Sequence, residues 1–150
     1  MELAKPLQTG ESLTISTPFV VDIPASFSRL GHVKESYQMT QWYPKPAVYD
    51  RFGWHPMPYL NMGEFFSEYG SFDVKITLPK NYVVGATGVL QNKEEEAFLM
   101  EKVKMTNEVI ENEEFGESTK NDSFPPSSSE LKTIQYKAEN VHDFAWFADK

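Results

Sequence analysis

From Phe72 to Leu78 the chain alternates without a break, with Phe72, Val74, Ile76 and Leu78 apolar and Asp73, Lys75 and Thr77 polar. Successive side chains of a strand point to opposite faces, so this stretch demands a strand with one face in a core and the other in water. The same period recurs along the chain. Leu13 and Ile15 alternate with Ser12, Thr14 and Ser16, and after Pro18 the pattern resumes at Phe19, Val21 and Ile23 until Pro24. Tyr37, Met39, Gln41 and Tyr43 fall on one face of a third run, with Ser36, Gln38, Thr40 and Trp42 on the other. Tyr82 to Leu90 is a further β run interrupted by Gly85 and Gly88. Late in the chain Ile134, Tyr136 and Ala138 alternate, then Phe144, Trp146 and Ala148. Some seven short strands divided by Pro and Gly turns predict an all-β fold, an antiparallel β-sandwich.

The 150 residues fit one domain, and a chain of that length buries enough apolar surface to fold. With 40% hydrophobic and 24% charged residues, disorder of the whole chain is excluded as the expectation. The net charge of -8 argues against nucleic acid, whose phosphates need clustered Lys and Arg, and against an anionic membrane surface. Residues 91–122 hold ten acids and four lysines, so most of that charge is local. There are no cysteines, which removes disulfides, thiolate catalysis and Cys-based zinc sites without fixing the compartment. No apolar run approaches the roughly 20 residues of a membrane span, and the N-terminus lacks signal-peptide character. The last residues, Phe144 to Lys150, carry no cap or turn, so a longer parent chain is expected.

Two segments stand apart from the strands. Residues 43–69 form an aromatic, proline-rich loop with Pro44, Pro46, Pro56, Pro58, Trp54, Tyr59, Phe65 and Phe66. Its aromatics either pack on the core or a neighbouring domain, or stack on a ligand; packing is favoured, because large aromatics supply most core burial. The stretch at about 91–131 is acidic and then Ser/Pro-rich, and is expected to be a flexible insertion in the single domain 1–150. Within it Ala97–Met105 fits a strand or a short helix equally well.

Tests for catalytic chemistry fail one after another. His32, His55 and His142 are far apart and none forms a zinc-binding pair, so they read as solvated or turn histidines. No G-x-S-x-G is present, and Gly85-Ala86-Thr87-Gly88 lacks the Lys and helix start of a phosphate loop, which leaves a β-bulge. Glu64, Glu68 and Asp73 read as surface charges rather than a glycosidase pair. The acids at 94–96 lack the oxygen spacing of a calcium loop.

One set of segments is distinctive in its order and spacing. It comprises Gln41-Trp42-Tyr43-Pro44-Lys45-Pro46-Ala47-Val48-Tyr49-Asp50, Gly53-Trp54-His55, Pro58-Tyr59-Leu60, Gly63-Glu64-Phe65-Phe66, Tyr69 to Pro79 and Val84 to Gly88. Leu7 to Ser12, Phe27 to Gly31 and Ala138 to Trp146 extend it. Together they resemble the N-terminal domain of bacterial aminopeptidase N-like zinc metallopeptidases, in a branch carrying a Q-W-Y-P-K segment. The resemblance covers most of the chain outside about 91–131.

That resemblance implies a saddle-like β-sandwich resting on a thermolysin-like catalytic domain, which is its expected partner, with a peptide substrate in the cleft between them. The zinc ligands and general base belong to the catalytic domain, so this chain alone is expected to be no enzyme and to need no cofactor, while the parent carries Zn. An extracytoplasmic parent, periplasmic or secreted, is favoured. The family's T-Q-x-[E/Q] segment meets the substrate's free amino terminus. Thr40 and Gln41 match it, but Tyr43 stands where the Glu or Gln would be. A phenol can hydrogen-bond there but lacks the charge that pairs with an ammonium group. The residues expected to touch substrate are therefore Gln41 and Tyr43. The rival reading is a stand-alone carbohydrate- or protein-binding module using Trp54, Tyr59 and Phe66.

Overall fold

The computed structural model describes residues 3–58, 60, 62–63, 66–112 and 124–150, with Val109 and Asn112 described by their backbone only. Tyr59, Glu64 and Phe65 of the aromatic loop, and residues 113–123 of the acidic stretch, lie outside the described residues. Among the described residues the chain is β-rich, with antiparallel sheets and one helix, so it is not wholly β as the alternation alone implied.

The unbroken alternation becomes β5, Gly70–Pro79, and its partner β8 is Leu131–Val141. They pair in the register that sets Ile76 opposite Ile134 and Val74 opposite Tyr136. On the wet face the same register brings Asp73 to Lys137 at 3.3 Å and Thr77 to Thr133 at 2.8 Å. Phe72, Val74 and Ile76 thus face apolar partners and Asp73, Lys75 and Thr77 polar ones, while inward Leu78 lies opposite Lys132. The short β7, Val89–Leu90, adds to the other side of β8.

A second sheet has the order β1-β2-β9-β6, formed by Gly31–Val33, Ser36–Met39, Trp146–Asp149 and Val83–Ala86. A separate hairpin, β3 and β4, is Val48–Asp50 with Gly53–His55. The main core draws on both sheets, joining Ile76, Leu78, Ile134, Tyr136 and Ala138 to Tyr82, Val84, Phe144 and Ala148. Phe144 is 0% exposed.

Between β6 and β7 the chain turns at Gly88, whose φ of 93° is in the left-handed region. A Cβ there would run into the Lys137 carbonyl of β8, so a side chain is excluded both by conformation and by space.

Two sequence expectations fail. Residues 11–24 run without helix or strand, although Leu13–Ser16 and Phe19–Ile23 have the pattern of strands. Alternation supplies one apolar face but no hydrogen-bonding neighbour, and Pro18 divides the run and removes a donor. The run expected through Tyr43 stops at Met39, because Gln41 adopts a left-handed φ of 53°.

The ambiguous acidic stretch opens as α1, Lys93–Asn112. Glu94, Glu95 and Glu96 in its first turn suit the positive end of the helix dipole. Its start is stitched to β8: Gln91 N–H donates to the Gln135 carbonyl at 2.8 Å, and Gln135 N–H donates to Asn92 Oδ1 at 2.7 Å. One turn on, buried Glu95 meets Lys132 of β8 at 2.6 Å. Beyond Leu99 the described side chains of the helix are exposed.

Candidate functional site

The site begins where β2 ends. Thr40 donates to the Arg29 carbonyl at 2.7 Å, and the left-handed Gln41 then redirects the backbone. Trp42 turns into the molecule, its Nε1–H donating to the Phe144 carbonyl at 3.0 Å and its ring meeting Tyr43 edge-on at 5.2 Å. Pro44 and Pro46 hold the following segment extended, because proline fixes φ and restrains the residue before it. Pro56 and Pro58 do the same after β4.

These segments bound a cleft of about 560 Å³ lined by Gln41, Tyr43, Pro44, Lys45, His55 and Phe66, among others. Gln41 and Tyr43 therefore do face one cavity. The turn at Gln41 brings them there, not the strand alternation that suggested it. Most of the remaining wall is proline and methionine, so the cleft is apolar with a few polar groups, the usual make-up of a ligand pocket.

Those polar groups come as internally matched sets. Tyr43 donates its phenol to Asp143 Oδ1 at 3.1 Å, and Lys45 Nζ meets the same oxygen at 2.9 Å. Asp143 Oδ1 also takes the Phe144 N–H at 2.7 Å, which fixes the carboxylate between cleft and core. Lys45 lies 5.5 Å over the Tyr43 ring. Burial, followed by the Asp143 charge, pushes the Tyr43 phenol far above its ordinary range, so it stays protonated and acts as a donor.

Across the cleft His55 Nε2 lies 2.8 Å from Asp50 Oδ1 and its ring meets Phe66 edge-on at 5.3 Å. Asp50 also accepts the Phe52 N–H at 2.8 Å. The His55 hydrogen bond first, and the Phe52 N–H second, hold the Asp50 carboxyl below the usual carboxylate range.

Lys45, Asp143, His55 and Asp50 were not singled out as site residues by sequence reasoning. Lys45 stands two residues after Tyr43, a usable signal, but Asp143 is 100 residues away and no spacing rule connects them. The three histidines keep separate neighbours: His32 bonds the Lys34 carbonyl, His55 bonds Asp50, and His142 packs on Tyr69. Among the described residues no three His, Asp or Glu side chains come together as a metal ion requires, and no helix is long and apolar enough to cross a membrane.

The aromatic loop divides in use. Tyr43 and Trp42 pack against the core, whereas Tyr49 and Trp54, opposite each other on the hairpin, are 65% and 68% exposed with their rings 4.9 Å apart. Phe52 at the hairpin tip is exposed too, beneath the Arg51 guanidinium at 4.5 Å. No protein-family model, curated protein or solved structure matches this chain.

Proposed function

We propose that the chain is the non-catalytic N-terminal β-sandwich domain of a zinc-dependent aminopeptidase-like protein. In that role it supports a thermolysin-like catalytic domain and forms one wall of the substrate cleft. The observation that carries the reading is the apolar cleft into which Gln41 and Tyr43 both face, the two positions that the family resemblance assigns to substrate contact. The core, drawn from both sheets, supports a sandwich. The peptide substrate would lie along Gln41, with the Tyr43 phenol, Lys45 and Asp143 holding that wall rigid. Zinc, in the catalytic domain, would activate water for attack on the peptide bond; the residues of this chain position substrate and exclude water. An extracytoplasmic parent fits the same reading.

The test has two parts. The purified chain, supplied with zinc, releases no amino acid from aminoacyl substrates; turnover by it overturns the assignment. In the parent protein, Gln41→Ala removes one hydrogen bond worth about 1 kcal/mol, and so raises KM about fivefold with kcat little changed. A stand-alone binding module is the second reading, favoured by the exposed pair Tyr49 and Trp54. Saturable quenching of tryptophan fluorescence by soluble glycans would select it.

A further inference from the structure

Trp146 opens β9 on the inner face of the larger sheet. It shares that face with Ala148, two residues on, and with Met39 and Ala86, which lie directly opposite it on β2 and β6. Its ring packs against the core and meets Trp42 edge-on at 6.4 Å. The two indoles differ in one respect. The Trp42 N–H is taken by the Phe144 carbonyl at 3.0 Å, whereas the Trp146 Nε1–H is buried and finds no acceptor among the described residues. Buried donors are almost always paired, because an unpaired one forfeits its hydrogen bonds to water. Trp146 therefore holds a donor for an acceptor that the described chain does not supply.

The same side chain lines a crevice of about 340 Å³, to which the larger sheet contributes Tyr37 and Ala148 and β5 contributes Leu78. Tyr82 lines it too, with its ring centre 6.2 Å from that of Tyr37, so much of the wall is ring surface. Among the described residues of the wall only Glu35 is charged, and Lys150 meets it at 2.6 Å. The Lys150 side chain is 0% exposed and also donates to Ser127 Oγ at 2.8 Å. The crevice thus presents no net charge for a ligand to answer. Ile23 bounds it from residues 11–24, which join neither sheet, so entry on that side breaks no strand ladder.

We propose that this crevice binds an uncharged small molecule with a flat, apolar, two-ring body and a carbonyl oxygen that accepts the Trp146 N–H. The volume lies at the lower end of the roughly 300–1,000 Å³ usual for small-ligand sites, which sets the size of the body. Aromatic rings pack edge-to-face or offset, so a flat molecule suits a space walled by Tyr37, Tyr82 and Trp146. A charged ligand is disfavoured, because Glu35 and Lys150 already satisfy each other and a buried charge without a counter-charge is costly. A pure hydrocarbon leaves the Trp146 donor unpaired. The site shares no lining residue with the cleft at Gln41 and Tyr43, so it stands apart from the peptidase reading.

The probe is acetylnaphthalene, two fused rings with one carbonyl, titrated into the isotope-labelled chain and followed by NMR. The three tryptophans give three indole N–H signals, and Trp146→Phe assigns one of them by its loss. That signal moves downfield and saturates, with a dissociation constant below about 1 mM for a ligand of this size. Trp146→Phe keeps a ring but removes the donor, and weakens binding about fivefold as read from the amide signals around the crevice. Naphthoate, the same rings with a carboxylate, binds at least about tenfold more weakly. Ile23→Trp fills the crevice and abolishes saturation, while the spread of the amide spectrum shows that the fold is kept. No saturation up to the solubility of the probe, a Trp146 signal that stays in place while others move, equal binding of naphthoate, or undiminished affinity in either variant would each overturn the proposal.

Discussion

Lys132→Met is the substitution for which the structure gives the firmest magnitude. The Lys132 ammonium is 2.6 Å from Glu95 Oε1, 2.5 Å from the Tyr82 carbonyl and 4.1 Å from the Phe98 ring centre. The side chains of Lys132 and Glu95 are only 13% and 6% exposed. Methionine keeps the apolar stem but strands a carboxylate in the interface between α1 and β8. Removing one partner of a buried pair costs about 3–5 kcal/mol, whereas replacing both by apolar residues of similar volume is close to neutral. Lys132→Met should therefore lose about 3 kcal/mol, or roughly 6–12 °C in Tm for a domain of this length. The double variant Glu95→Leu, Lys132→Met should return to within about 1 kcal/mol of the parent. Urea denaturation followed by far-ultraviolet circular dichroism measures both. A Lys132→Met protein within about 1 kcal/mol of the parent would refute the idea that this ion pair fastens the helix.

Other perturbations follow from single observations. Gly88→Ala forces a methyl group toward the Lys137 carbonyl at a left-handed φ, and should cost at least about 2 kcal/mol in thermal unfolding. Tyr43→Phe removes the hydrogen bond to Asp143, for a loss of about 1 kcal/mol; ultraviolet difference titration of the folded protein should also lose a phenol that ionises late. The lowered Asp50 carboxyl sets a sign for pH dependence. Its contribution is fully present above the ordinary carboxylate range, near pH 4, and is lost as pH falls through the lower folded value. A carbon NMR titration of Asp50 should show a midpoint below that of an ordinary aspartate, and His55→Ala should move it upward.

How much of this was legible in the chain depends on whether a neighbour was needed to decide it. β5 could be read directly, because four apolar residues at strict alternation admit one geometry, but its pairing with β8, which sets Ile76 opposite Ile134, needed the structure. Residues 12–23 have the pattern too and are not a strand, since pattern gives a face and not a partner. The helix was ambiguous over Ala97–Met105 because only its first turns touch the body, so burial leaves no clean period in the sequence. At the site, the closeness of Gln41 and Tyr43 was readable and its cause was not. A non-glycine residue at φ 53° is fixed by its surroundings rather than by its type. Asp143 was beyond reach, because nothing local ties it to Tyr43.

The strand order of the larger sheet has a consequence during synthesis. β9 lies between β2 and β6, hydrogen-bonded to both, although it is the last strand of the described chain. While the polypeptide emerges from the ribosome, β2 and β6 have no common partner until residues 146–149 follow. Their edges must stay open until those residues arrive, and Phe144, 0% exposed, comes only just before closure. Pairing over such long sequence separations is slow and leaves strand edges exposed. Nascent chains halted before Trp146 should therefore bind holdase chaperones, and chains extended past Asp149 should be released from them.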